Sequence, residues 1–149
     1  MPPSLPPTDR AVRNPPMRIR ERRLSIENEM DVARAVLETV SFCTAAGIDR
    51  GRGQMVATAV SELARNIIKY ATRGDVILRP CVGQSGDGVE IVVADDGPGI
   101  DDLERAMQDH FSTSGTLGLG LPGVKRMMDE FAIESQRGRG TRVTIRKWL

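Results

Sequence analysis

From Glu29 to Ala46 the apolar residues Val32, Ala33, Val36, Leu37, Val40 and Cys43 recur at three- and four-residue spacing. That period predicts an amphipathic helix, with Gly47 as its stop. A second run of the same kind, Arg52 to Ala71, places Val56, Ala59, Val60, Leu63, Ile67 and Tyr70 on one side and predicts a second helix. The period then shortens. Asp75 to Val82 and Val89 to Ala94 read as strands after Gly74, joined by the loose turn "GQSGDG". The second of these, "VEIVVA", is almost wholly apolar, so both its faces are expected to be covered. A short helix over about Asp102 to Gln108 leads into the polar segment "DHFSTSGTLGLGLPG", and a helix from about Leu121 to Glu130 follows. Strands from Ala132 to Gln136 and from Thr141 to Trp148, joined by "RGRG", close the chain. Upstream, the alternation in "RIRERRLSI" suggests a first strand between Met17 and Ile26, at a sheet edge.

Strands paired as hairpins, with helices between them, predict an α+β two-layer sandwich: a mixed, mostly antiparallel sheet with its helices on one face. The chain has 149 residues, the size of one domain. The folded part is expected to span 17–149. Residues 1–16 hold Pro2, Pro3, Pro6, Pro7, Pro15 and Pro16 and little that could be buried, so they read as a disordered Pro/Arg-rich leader.

Composition narrows the function classes. Tryptophan and tyrosine occur once each and phenylalanine three times, which leaves no aromatic platform for single-stranded nucleic acid. Six arginines precede Leu24 against Asp9 and Glu21. With a net charge of +1 for the whole chain, the remainder is mildly acidic and offers no nucleic-acid-binding face. The basic leader suits either an acidic partner or plain solvation. Cys43 and Cys81 lie far apart, without C-x-x-C spacing and with one histidine in the chain, so no zinc site is expected. Two free buried thiols suit a reducing cytoplasm. No run approaches the ~20 apolar residues of a membrane span, and the leader lacks the apolar core of a secretion signal.

Gly118-Leu119-Gly120-Leu121-Pro122-Gly123 matches G-x-G-x-x-G, but a polar loop, "FSTSGT", precedes it where dinucleotide binding needs a strand. A Walker A loop fails too, because Val124 separates Gly123 from Lys125 and no Ser or Thr follows the lysine. What remains is shared physics: glycines let backbone N–H groups approach an anion at the start of a helix that carries Pro122 in its first turn. A flexible glycine hinge is the plain alternative. Asp95-Asp96-Gly97-Pro98-Gly99 places a carboxylate where the covered strand ends, then forces a tight turn. An acceptor there suits the exocyclic amine of a purine.

Glu62 and Asn66, at i and i+4 in "SELARNIIKY", share one helix face beside the apolar stripe. A side-chain carbonyl and a carboxylate so placed can hold Mg²⁺ beside phosphates. The alternative is a solvated edge on which Glu62 pairs with Arg65 or Lys69. His110, next to Phe111 in the polar loop, reads as an exposed loop histidine.

Taken in this order, the motifs resemble the GHKL ATPase superfamily of histidine kinases, gyrase and Hsp90-type ATPases. Glu62-x-x-x-Asn66 looks like its N-box, Asp95-x-Gly97-x-Gly99 its first glycine box, and Gly115 to Gly123 its second. Within it, "SELARN", "DDGPGI", "FSTSGTLGLGLPGVKRMMDEF" and the terminal "KWL" are similar to the RsbT-type serine/threonine kinases of bacterial partner switching and the stressosome. The resemblance implies a Bergerat-type fold binding ATP and Mg²⁺. Asn66 would ligate the metal and Asp95 would recognise adenine. Gly97 and Gly99 would line the base pocket, Gly115, Gly118 and Gly120 would wrap the phosphates, and Thr141 would sit near adenine. Glu62 would draw or position the proton of a substrate hydroxyl. The implied partners are STAS-domain proteins (RsbS/RsbR-like) and a PP2C-type phosphatase (RsbU-like). Related anti-sigma factors, which bind a sigma factor directly and use ATP as a conformational ligand, share the same nucleotide motifs.

Overall fold

The structure is a computed structural model that describes residues 4–6, 19–84, 86–108 and 120–149. Its elements run β1 (Arg22–Ile26), α1 (Glu29–Ala45), α2 (Arg50–Tyr70), β2 (Gly74–Gly83), β3 (Gly86–Asp95), α3 (Leu103–Ala106), α4 (Gly120–Met127), β4 (Glu130–Gln136) and β5 (Gly140–Trp148). The sheet order is β1-β2-β3-β5-β4, and every neighbouring pair is antiparallel. The two-layer α+β sandwich is therefore as expected, with a sheet that is antiparallel throughout these pairs.

Local chemistry sets the helix ends. Asn28 caps α1 by accepting from the Asp31 N–H at 3.0 Å, while the Asp31 carboxylate accepts from the Glu27 N–H at 2.9 Å. Asp49 caps α2 through the Arg52 N–H, also at 3.0 Å. The buried face of α1 differs from the expected one. It consists of Val32, Ala35, Thr39, Phe42 and Cys43, while Leu37 is 71% exposed and Ala33 is exposed. Thr39 explains the rotation. Its hydroxyl donates to the Ala35 carbonyl at 2.7 Å, so a polar side chain enters the core already satisfied. On α2 the expected stripe is buried from Val56 to Ile67, joined by Ala57 and Ala64, but Tyr70 is 55% exposed under the Lys69 ammonium.

Val89, Ile91 and Val93 of β3 join Val76, Leu78, Val143 and Ile145 beneath the helices. The opposite face of β3 is also covered, by different means. Glu90 pairs across the sheet with Arg79 on β2 and Arg146 on β5, and Arg146 pairs with Glu130 on β4. Arg146 Nε donates to Glu90 at 2.7 Å, and its Nη1 donates to Glu130 at 2.9 Å and to the Pro6 carbonyl at 2.7 Å. Arg79 Nε stands 3.4 Å from the carboxylates of both Glu21 and Glu90. Burial alone would lower the Arg146 pKa, but the hydrogen bonds it donates to Glu90 and Glu130 and their negative charge outweigh it and hold the group above its ordinary value.

The terminal Lys147-Trp148-Leu149 acts as a clasp. Lys147 Nζ donates to the Met127 carbonyl at the end of α4 at 2.8 Å, a favourable place for a cation. The Trp148 N–H donates to Asp129 at 2.8 Å, and the Leu149 N–H to the Asp87 carbonyl at 3.0 Å.

Candidate functional site

At the far ends of β3 and β5 the sheet and helices part around a cavity of about 380 Å³. Its apolar walls come from Leu63 and Ile67 of α2 and from Val93 and Val143 of the sheet. Asn66, Asp95 and Thr141 supply polar groups, and Gly99 and Gly120 also line it. A slot with apolar walls and a few convergent polar groups is the usual form of a small-molecule site. Asn66 reaches it because Leu63 and Ile67, both on one side of it around the helix axis, are locked into the core at 2% and 1% exposure and fix the rotation of α2. Asp95 and Thr141 reach it as direct cross-strand partners.

The floor is built from interlocked turns. Asp95 Oδ1 accepts from the Gly97 N–H at 2.9 Å, folding the chain back as soon as β3 ends. The Gly138 N–H donates to the Pro98 carbonyl at 2.8 Å, tying the β4–β5 turn to it. Two glycines make this contact possible. Gly99 has φ +78° and a Cβ there would strike the Gln136 carbonyl; Gly140 has φ +87° and a Cβ there would strike the Asp95 carbonyl. The backbone of both turns is pressed against the cavity edge with no room for a side chain.

Among the expected site residues, Asn66, Asp95, Gly99, Gly120 and Thr141 come together around the cavity. Gly97 acts through its N–H on Asp95 rather than as wall. Glu62 is half-buried one turn before Asn66, outside the cavity lining, and among the described residues no ion pair joins it to Arg65. Gly115, Gly118 and His110 lie outside the described residues. Cys43 and Cys81 are free and buried, as expected, and no group of three His, Cys, Asp or Glu side chains suited to a metal occurs among the described residues. No helix among them is long and apolar enough to cross a membrane.

Sequence reasoning missed Ser135. It is the cross-strand partner of Thr141, with its Oγ 2.8 Å from Thr141 Oγ1 and accepting from the Ile100 N–H at 2.7 Å. The turn "RGRG" between the two strands was the available signal, since a hairpin closed there brings the two hydroxyls opposite each other.

The family profile of the histidine kinase-like ATPase domain matches residues 25–147, which span the fold except for the leading residues of β1 and the last residue of β5. The chain belongs to that family. Among its relatives, this histidine kinase-like ATPase domain is 45% identical over 118 residues to the serine/threonine-protein kinase RsbT of Bacillus subtilis (strain 168), covering 79% of this chain and 84% of that protein. It is 36% identical over 98 residues to the anti-sigma F factor of Thermoanaerobacter sp. (strain X514), covering 63% and 68%. A solved histidine kinase domain from the blue-light activated histidine kinase of Erythrobacter litoralis EL346 aligns with a TM-score of 0.49 at 20% identity, over 79% of this chain and 59% of that one.

Proposed function

We propose that this histidine kinase-like ATPase domain is an ATP-dependent protein serine/threonine kinase of the partner-switching type. It transfers the γ-phosphoryl group to a hydroxyl on a STAS-domain protein and, once released, activates a PP2C-type phosphatase. The observation that carries the reading is the convergence of Asn66, Asp95 and Thr141 on one apolar-walled cavity, with Glu62 one helical turn from Asn66. Adenine lies between the apolar walls, with its amine toward Asp95. Asn66 would supply a hard oxygen ligand to Mg²⁺, a role that does not call for a cluster of protein carboxylates when the nucleotide phosphates and water supply the other oxygens. The chemistry Mg²⁺ would supply is charge neutralisation on the transferring phosphoryl group. Glu62 accepts, or positions, the proton of the attacking hydroxyl. Phosphoryl transfer asks mainly for placement and charge compensation, so an ordinary carboxylate suffices for that task.

The test is phosphotransfer from Mg·ATP to a purified STAS-domain partner. Glu62→Gln is expected to lower the rate about 100-fold or more while nucleotide affinity stays within about twofold. Full activity in that variant removes Glu62 from the reaction.

The similarity to anti-sigma F factors favours a second reading, in which the domain binds a sigma factor and ATP sets its conformation. Stable co-purification with a sigma factor, together with absent phosphotransfer to any STAS-domain protein, selects that reading over the first.

A further inference from the structure

Asp95, Thr141 and Ser135 form one row across β3, β5 and β4 on the helix-facing side of the sheet. The hydrogen bonds of Ser135 determine what that row can offer a ligand. A serine hydroxyl has one proton and two lone pairs. The Ile100 N–H, 2.7 Å away, can only donate and takes one lone pair. The Gly140 carbonyl, 3.2 Å away, can only accept and takes the proton. The remaining lone pair faces Thr141 Oγ1 at 2.8 Å and can only receive a proton. Thr141 is therefore the donor in that contact, and its single proton is spent on Ser135. Toward the cavity Thr141 keeps lone pairs alone. The Asp95 carboxylate beside it is also an acceptor.

We propose that Ser135 is a positioning residue for base selection: by drawing the Thr141 proton away from the cavity, it makes this edge of the pocket acceptor-only, so the pocket takes a 6-aminopurine and rejects a 6-oxopurine. The proposal rests on the reading of the cavity as a nucleotide-base pocket. The amine at C6 of adenine donates, whereas the carbonyl at C6 of hypoxanthine accepts and meets unshared lone pairs. A mismatch of that kind in a polar site discriminates strongly, because groups on both sides are left unpaired.

The test compares the dissociation constants of ADP and of inosine diphosphate, measured by calorimetry on the full chain. The wild-type domain is expected to prefer ADP. In Ser135→Ala the Thr141 hydroxyl is free to turn and donate to the 6-oxo group, and the preference is expected to fall about 10-fold. Ser135→Thr, which keeps a hydroxyl at that place, is expected to restore most of it. A purely structural Ser135 would weaken both nucleotides equally, and an unchanged ADP preference in Ser135→Ala overturns the proposal. If that variant does not fold, Thr141→Val carries the test: loss of preference supports the acceptor role of Thr141, and an unchanged preference overturns it. Failure of the wild-type domain to bind either nucleotide removes the base-pocket reading itself, and the proposal with it.

Discussion

Two polar rows cross the same sheet, one on each face, and they end differently. On the face away from the helices, Arg79, Glu90, Arg146 and Glu130 alternate in sign from β2 to β4, with Glu21 joining before β1. Every charge there meets an opposite one, and even the Pro6 carbonyl from the leader finds a donor in Arg146. On the helix-facing side, at the other end of the strands, Asp95, Thr141 and Ser135 make up the second row. Among the described residues only Ser135 is fully occupied; Asp95 and Thr141 carry more acceptors than the described donors reach. A row that compensates itself holds strands together, whereas a row with surplus acceptors leaves them open to a donor from outside.

The sharpest way to break that contrast is Arg146→Ala. Glu90, whose side chain is 9% exposed, then loses its buried partner, and unfolding by denaturant is expected to show a loss of roughly 3 kcal/mol. The lower end of the usual range applies because Arg79 still stands near Glu90. Replacing both partners by apolar residues, as in Glu90→Leu with Arg146→Met, is expected to recover only part of that loss, since the buried carboxylate is no longer stranded but Glu130 loses Arg146 and Arg79 keeps Glu21 alone. Asp95→Asn should behave in the opposite way. The amide oxygen keeps the Gly97 contact, so stability changes by less than about 0.5 kcal/mol, while ADP affinity measured by calorimetry falls about 10- to 100-fold.

The smallest effect compares the two thiols. Cys43, beneath the helices, is pushed up to about 12 by burial. Cys81 reaches about 12 through burial and then the repulsion of Glu90, partly countered by Arg146. Because the folded pKa is raised above an unfolded value near 9, each thiol's contribution to stability is complete below pH 9. It is lost as the pH rises toward 12, by at most about 1.4 kcal/mol per pH unit per thiol. Denaturation curves between pH 9 and 10 should show Cys43→Ala and Cys81→Ala each flattening that decline. Equal flattening places the two faces on the same footing as barriers to water.

Much of this was legible in the order and period of the residues. The helix and strand positions follow from the 3.6 and 2.0 repeats, and the near-continuous apolar run of β3 correctly announced two covered faces. The nature of the outer cover was not legible. Glu90 alone in "VEIVVA" has no visible partner until the register brings Arg146, 56 positions away, beside it. The same limit hid Ser135, whose importance depends on a cross-strand neighbour and on the turn carrying Ile100. The α1 face was misjudged by about one position because a periodicity argument counts Thr39 as polar, while its hydroxyl is silenced by the helix's own backbone. Spacing assigns Tyr70 to the core, but at the last position of α2 it is 55% exposed and lines the cavity. Asn66, Asp95, Gly99 and Thr141 were found by motif, and their convergence is compatible with the roles given them.

The alternating outer row also bears on how the chain avoids misfolding. A strand that slips by one residue turns its charges into the helical core, and a slip of two keeps the face but loses the match. Glu90 would then sit against Thr144 or Trp148, and Arg146 against Gly88 or Val92. Each wrong alignment strands a carboxylate and a guanidinium in a half-dry seam. Misaligned hairpins therefore have reason to reopen before they harden, and the row serves as a proofreading mark for the whole sheet during folding.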